Sequence, residues 1–169
     1  MKNHALLLAL GGVASLVCLV WLLLLITPYA PPAVFTTING QIIRMAQLKG
    51  RPVLVNFWAT TCSACVEEMP KLVQTYNTYH QSGLELIAVA MPYDPASQVN
   101  QFATTYKLPF PVALDSTGIL SHQFGDINLT PTTFLYDKEG KQIQRYVGTL
   151  DFAKLESFLK KELQHHAVD

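Results

Sequence analysis

A chain of 169 residues in which 12 Lys and Arg balance 12 Asp and Glu has no net charge at pH 7. That balance removes the electrostatic footprint of a nucleic-acid-binding protein. Half of the residues are apolar, a large share whose excess sits before Arg44, and the length suits one domain with a sizeable core plus an appendage.

The appendage comes first. Lys2 is the only charged side chain before Arg44, and Ala5–Ile26 is an uninterrupted run of 22 uncharged residues. A transmembrane helix needs roughly 20 such residues, whereas the apolar core of a cleavable signal peptide spans about 7–15. Pro28-Tyr29-Ala30, followed by Pro31, offers no small-x-small cleavage pattern, and Val17 stands where lipid attachment at Cys18 would require a small residue. The segment therefore reads as an uncleaved anchor. Lys2 lies on its near side and no Lys or Arg flanks its far side until Arg44, which puts the amino terminus in the cytoplasm and the rest of the chain outside. Thr27–Ala33, with prolines at 28, 31 and 32, follows as a short stiff spacer. Two regions result: residues 1–33 as cytoplasmic stub, anchor and spacer, and residues 34–169 as the folded domain.

Val34–Thr37 and Gln41–Met45 flank Asn39-Gly40, the signature of a β-hairpin. Val53–Phe57 is a nearly continuous apolar run, as in a strand buried on both faces. A helix is expected from about Cys62, with Met69, Leu72, Val73, Tyr76 and Tyr79 on one face and Gly83 at its end. Leu84–Ala90 is a second buried strand, so strand, helix and strand form a parallel crossover unit. Helices over Ala96–Tyr106 and Ser116–Phe124 enclose a short strand at Pro111–Leu114. Thr132–Tyr136 and Gln142–Val147 are strands joined by a turn at Asp137-Lys138-Glu139-Gly140. Asp151 caps a last helix whose Phe152, Leu155, Phe158, Leu159 and Leu163 form one apolar stripe. The expected architecture is α/β, a central mixed sheet with helices on both faces.

Chemistry concentrates where the first buried strand enters the first helix, at Trp58-Ala59-Thr60-Thr61-Cys62-Ser63-Ala64-Cys65. A cysteine at a helix N-terminus meets unpaired backbone N–H groups and the positive end of the macrodipole, which lowers a thiol pKa and exposes a nucleophilic thiolate. Cys65, one turn on, is near enough to close a disulfide with Cys62, and exchange needs one thiolate to attack and a second to resolve. The helical phase sets Cys65 within the apolar stripe and Glu68 on its flank, so Glu68 is the carboxyl that can trade protons with Cys65. Glu67 points nearly the opposite way, as a solvated charge. Pro70 removes a backbone donor within the helix. Pro131, in Thr130-Pro131-Thr132, reads from the sequence as a loop residue.

These residues resemble the thioredoxin superfamily, and within it the membrane-tethered TlpA-like, ResA-like and CcmG-like thiol–disulfide reductases. The resemblance covers about residues 34–165. It rests on Val53-Leu54-Val55-Asn56-Phe57-Trp58-Ala59, the cysteine pair, Glu68, Met69-Pro70, Thr130-Pro131-Thr132-Thr133-Phe134 and Asp137-Lys138-Glu139-Gly140-Lys141. It implies a thioredoxin-like fold, a redox-active Cys62–Cys65 disulfide, and a cis proline at 131 packed beside the cysteines. It further implies that the backbone at Thr130 pairs with an extended substrate segment, that Trp58 belongs to the substrate-binding group, and that Glu68 tunes thiol protonation. No cofactor is implied. The expected setting is a bacterial inner membrane, with a single pass and the domain facing the periplasm. The partners would be a thiol or disulfide protein, for example apocytochrome c cysteines, and a DsbD- or CcdA-like electron donor in the membrane.

Thr61 replaces the tryptophan usual before the first cysteine and Ala64 the proline usual between the two, which leaves the direction of electron flow open. Reduction of partner disulfides is the expected activity, with oxidation or isomerisation through the same site as the alternative. A copper-binding module is a third alternative, with His122 the histidine to watch. Ala59 stands where a peroxidatic site would carry threonine, which argues against a peroxidase.

Overall fold

The computed structural model describes residues 28–164. The expected anchor over Ala5–Ile26 lies outside the described residues, as do His165 and His166, and no helix among the described residues is long and apolar enough to cross a membrane. Val34–Thr36 (β1) and Ile42–Arg44 (β2) pair antiparallel as a separate two-stranded sheet. Gly40 takes the positive φ, +82°, that the turn between them requires. Met45, expected in the second strand, instead opens a 3-10 turn, Met45–Leu48. It departs from the ladder because its side chain is drawn into the core, where it is 6% exposed.

Val53–Trp58 (β3) is apolar except for Asn56 and buried along its whole length, which suits only the middle of a sheet covered on both faces. Ser63–Tyr79 (α1) follows and runs through Pro70. A 3-10 turn at His80–Ser82 and Gly83, with φ of +116°, then release the chain into Glu85–Ala90 (β4). Ala96–Thr105 (α2), Val112–Leu114 (β5) and Ile119–Gln123 (α3) come next. Thr132–Tyr136 (β6), Gln142–Val147 (β7) and Phe152–Gln164 (α4) complete the chain.

The last short helix is briefer than the expected Ser116–Phe124. Gly118 adopts φ of +74° just before it, and the buried Asp115 carboxylate accepts the N–H groups of Leu120 at 2.9 Å and Ser121 at 2.7 Å. Residues 116–118 thus form the turn that lets Asp115 cap α3 rather than a first helical turn.

The five-stranded sheet has the order β5-β4-β3-β6-β7. β3, β4 and β5 are mutually parallel, while β6 runs antiparallel to both β3 and β7. Side-chain alternation splits β3 between two cores. Leu54 and Trp58 join Met69 and Leu72 of α1, Val99 of α2 and Leu155 and Leu159 of α4. Val53, Val55 and Phe57 join Phe35, Phe124 just after α3 and Phe134 on the other face. The N-terminal sheet closes the β5 edge, where Thr37 bridges Ala113 and Ile38 N–H donates to Val112 O at 2.8 Å.

Residues 28–30 pair with the β6–β7 turn. Gln142 N–H donates to Pro28 O at 2.8 Å, Ala30 N–H donates to Gly140 O at 2.8 Å, and Tyr29 bridges Lys141. Gly50 N–H reaches Lys138 O at 2.8 Å, so this turn gathers two other stretches of chain at the pole where β3 begins.

Candidate active site

β3 delivers Trp58 to the opposite pole, and the next four residues are held from several sides. Met91 N–H donates to Trp58 O at 3.0 Å and Cys62 N–H to Ala59 O at 3.1 Å. Asp94, from the loop after β4, accepts both the N–H and the hydroxyl of Thr60 at 2.6 Å. Asp94 is only 7% exposed, so this two-point clamp is shielded from competing water.

Cys62 is the N-cap of α1, in extended backbone conformation, and its Sγ accepts the N–H of Cys65 at 3.2 Å. It takes the place of the Ser, Thr or Asp that usually satisfies a free amide there. No acidic residue occupies the first turn of the helix to oppose negative charge on the sulfur. The two cysteines form a disulfide with Cα atoms 5.3 Å apart. Cys62 is half-buried whereas Cys65 is 2% exposed, so sulfur 62 is the one a partner can reach.

Glu68 lies beneath the pair, buried on the flank of α1, while Glu67 is exposed. Its Oε2 accepts the Leu150 N–H at 2.7 Å, and its Oε1 lies 3.4 Å from the Asn56 amide nitrogen, which also donates to Thr133 Oγ1 at 2.8 Å. Burial raises the Glu68 pKa above the ordinary carboxylate value, against smaller lowering effects from the Leu150 N–H and the charge of Lys71. Desolvation thus makes this carboxyl a stronger base than an ordinary surface glutamate. Asn56 Oδ1 and Trp58 Nε1 are buried without a hydrogen-bond partner among the described residues.

The Thr130–Pro131 peptide bond is cis, and Pro131 is buried. Pro131 O accepts the Gly148 N–H at 2.8 Å. Since Thr132 pairs with Phe57, antiparallel β6 starts at the pole where β3 ends, which brings Thr130 and Pro131 to the cysteine end of the sheet. Leu129 beside them is 65% exposed. Trp58, expected to meet substrate, is 0% exposed with its ring 5.0 Å from that of Phe102. In the oxidised form it gives a partner no surface, because it fills the core under the loop. His122 pairs with Asp126 at 2.6 Å, and among the described residues no three His, Cys, Asp or Glu side chains gather where they could hold a metal ion.

Asp94, Thr133 and the Leu150 N–H were not expected at the site. Asp94 follows the carboxyl end of a parallel strand, where sites in α/β sheets collect, and that position was the available signal. The Leu150 amide carried none, being a backbone group 82 residues beyond Glu68.

A disulfide at the head of a helix, leaving the central strand of a thioredoxin-like sheet with a buried carboxyl behind it, defines a thiol–disulfide oxidoreductase. The chain belongs to the Redoxin family, which matches residues 28–159. A thiol–disulfide oxidoreductase ResA from Bacillus thuringiensis subsp. konkukian is 40% identical over 132 residues, 78% of this chain and 75% of the relative. Among solved structures, a thiol:disulfide interchange protein of the thioredoxin family from Chlorobium tepidum superposes with a TM-score of 0.74 at 29% identity, over 82% of this chain and 97% of that one. StoA from Bacillus subtilis gives 0.65 at 28% identity, over 76% and 98%.

Proposed function

We propose that this protein is a protein-disulfide reductase anchored in a bacterial inner membrane through residues 5–26, with its domain on the periplasmic side. The observation that carries the reading is the N–H of Cys65 directed at Cys62 Sγ, with Cys65 itself buried behind. A hydrogen bond to the charged form favours that form, so in the reduced protein Cys62 is the anion and Cys65 the reserve thiol.

The Cys62 thiolate attacks one sulfur of a partner disulfide, the partner's other sulfur leaves as a thiolate, and a mixed disulfide joins the two proteins. Glu68 takes the proton of Cys65. The Cys65 thiolate then attacks Cys62 Sγ, which closes the internal disulfide and expels the partner's second thiolate. Both electrons have passed to the partner. Thr130 offers backbone to an extended partner segment beside Pro131, in the manner of strand addition, while Trp58 supports the loop from beneath. An oxidising compartment would leave the protein spent after one turnover, so a DsbD- or CcdA-like donor in the membrane returns the electrons. Apocytochrome c cysteines or those of another secreted chain are the substrate class.

The roles of the two sulfurs are tested by trapping. Cys65→Ser should accumulate a mixed disulfide with the natural partner and Cys62→Ser should not; trapping by the second variant alone would reverse the assignment. Direction is tested by the reduction potential of the domain. A value near or below thioredoxin's, about −270 mV, fits a reductase, and one near DsbA's, about −120 mV, would make the protein an oxidant.

A further inference from the structure

The way residues 28–30 are fastened bears on how the domain stands on the membrane. Their two backbone hydrogen bonds, each 2.8 Å, and the Tyr29–Lys141 bridge tie them to the turn between β6 and β7. That turn lies at the Val53 end of β3, because Val53 pairs with Tyr136, the last residue of β6. The cysteines follow the Trp58 end. A six-residue strand at about 3.3 Å per residue puts about 20 Å between the two poles.

We propose that the pole formed by residues 28–31, Gly50 and the β6–β7 turn rests against lipid headgroups beside the anchor, so that the Cys62–Cys65 pair faces away from the bilayer. The proposal rests on residues 5–26 being the anchor. Only Thr27 then separates the end of the apolar run, Ile26, from the fastened Pro28. One residue of extended chain reaches at most about 3.6 Å, far too little to carry the domain over and lay its other pole on the membrane. Tyr29 is 68% exposed at this position, and tyrosine is favoured at the membrane–water boundary, where an apolar ring with a polar tip fits best.

The geometry also selects partners. A disulfide lying in the bilayer surface is out of reach of sulfur 62. The substrate is instead a cysteine-bearing segment in solution or on a projecting domain, and an electron donor must raise its own thiols to the same height on a part that stands clear of the lipid.

The test uses the full chain with Cys18→Ala, Cys62→Ser and Cys65→Ser, in vesicles containing a nitroxide-headgroup phosphatidylcholine as quencher. A fluorophore is attached at Glu139→Cys, in the turn, or at Leu129→Cys, at the cysteine pole; both positions are exposed, so labelling leaves the core intact. Several-fold stronger quenching at 139 than at 129 is expected. Equal quenching, or stronger quenching at 129, overturns the proposal while leaving the anchor reading standing. If the chain fails to float with the vesicles, the anchor reading fails and the proposal falls with it. A flexible Gly/Ser insert of about twenty residues between Thr27 and Pro28 should abolish the contrast. A contrast that survives the insert would show that the short tether does not set the orientation, which also overturns the proposal.

Discussion

Burying Glu68 has a cost that pH should reveal. Its folded-state pKa is raised, chiefly by desolvation, so protonation stabilises the fold. That contribution is complete below the ordinary carboxylate range and is lost as pH rises through the folded-state value. The loss is about 1.4 kcal/mol for every pH unit between the two ionisation points. Glu68→Gln keeps an oxygen for the Leu150 N–H but cannot ionise. Urea unfolding of the oxidised domain should therefore show the variant gaining on the parent as pH is raised from 4 towards neutrality; a constant difference would remove the carboxyl from the account. On the proposed mechanism, in which Glu68 accepts the Cys65 proton, the same substitution should leave attack by Cys62 intact and slow the release of mixed disulfides. At this scale the sequence carried a good deal. Helical phase alone separated Glu68, 4% exposed, from Glu67 on the surface. It carried nothing about Leu150 or Thr133, since what Glu68 and Asn56 touch depends on how distant strands and loops close around them.

Among the elements, the loop between β3 and α1 owes its shape to another loop. Asp94→Ala should release Thr60 and cost ~2–3 kcal/mol, the scale of hydrogen bonds to a charged group, as measured by denaturant unfolding. It should also slow the formation of mixed disulfides with a model substrate, because Cys62 lies two residues beyond the released backbone. Leu155 in the first turn of α4 is fully buried in the core that α1 shares, and Leu155→Ala should cost about 2–5 kcal/mol by leaving a cavity. A thermal shift too small to measure would contradict the packing described. The α4 stripe was legible because one face of a helix is a local, periodic property. Met45 and the start of α3 were not: a distant apolar core decides the first, and a capping contact that periodicity does not report decides the second, the Asp115 carboxylate taking the N–H groups five and six residues on.

For the whole molecule, strand–helix–strand alternation was enough to predict a parallel unit, and the paired strands near the end predicted the antiparallel half of a mixed sheet. The order of strands and the fastening of residues 28–30 had no local signature, since both come from pairings across long stretches of chain. The small sheet of β1 and β2, together with Thr37 and Ile38, acts as a stopper. Phe35 at its centre is 0% exposed and sits 6.2 Å from Phe124, over an aromatic group that includes Phe57 and Phe134. A chain shortened to begin at Gly50 would uncork that group and at the same time bare the outer strand of the sheet, an invitation to stick edge to edge. Such a fragment should leave a sizing column as large assemblies, whereas one beginning at Pro28 should elute as a single species. The short N-terminal sheet would then be a condition of solubility rather than an ornament of the fold.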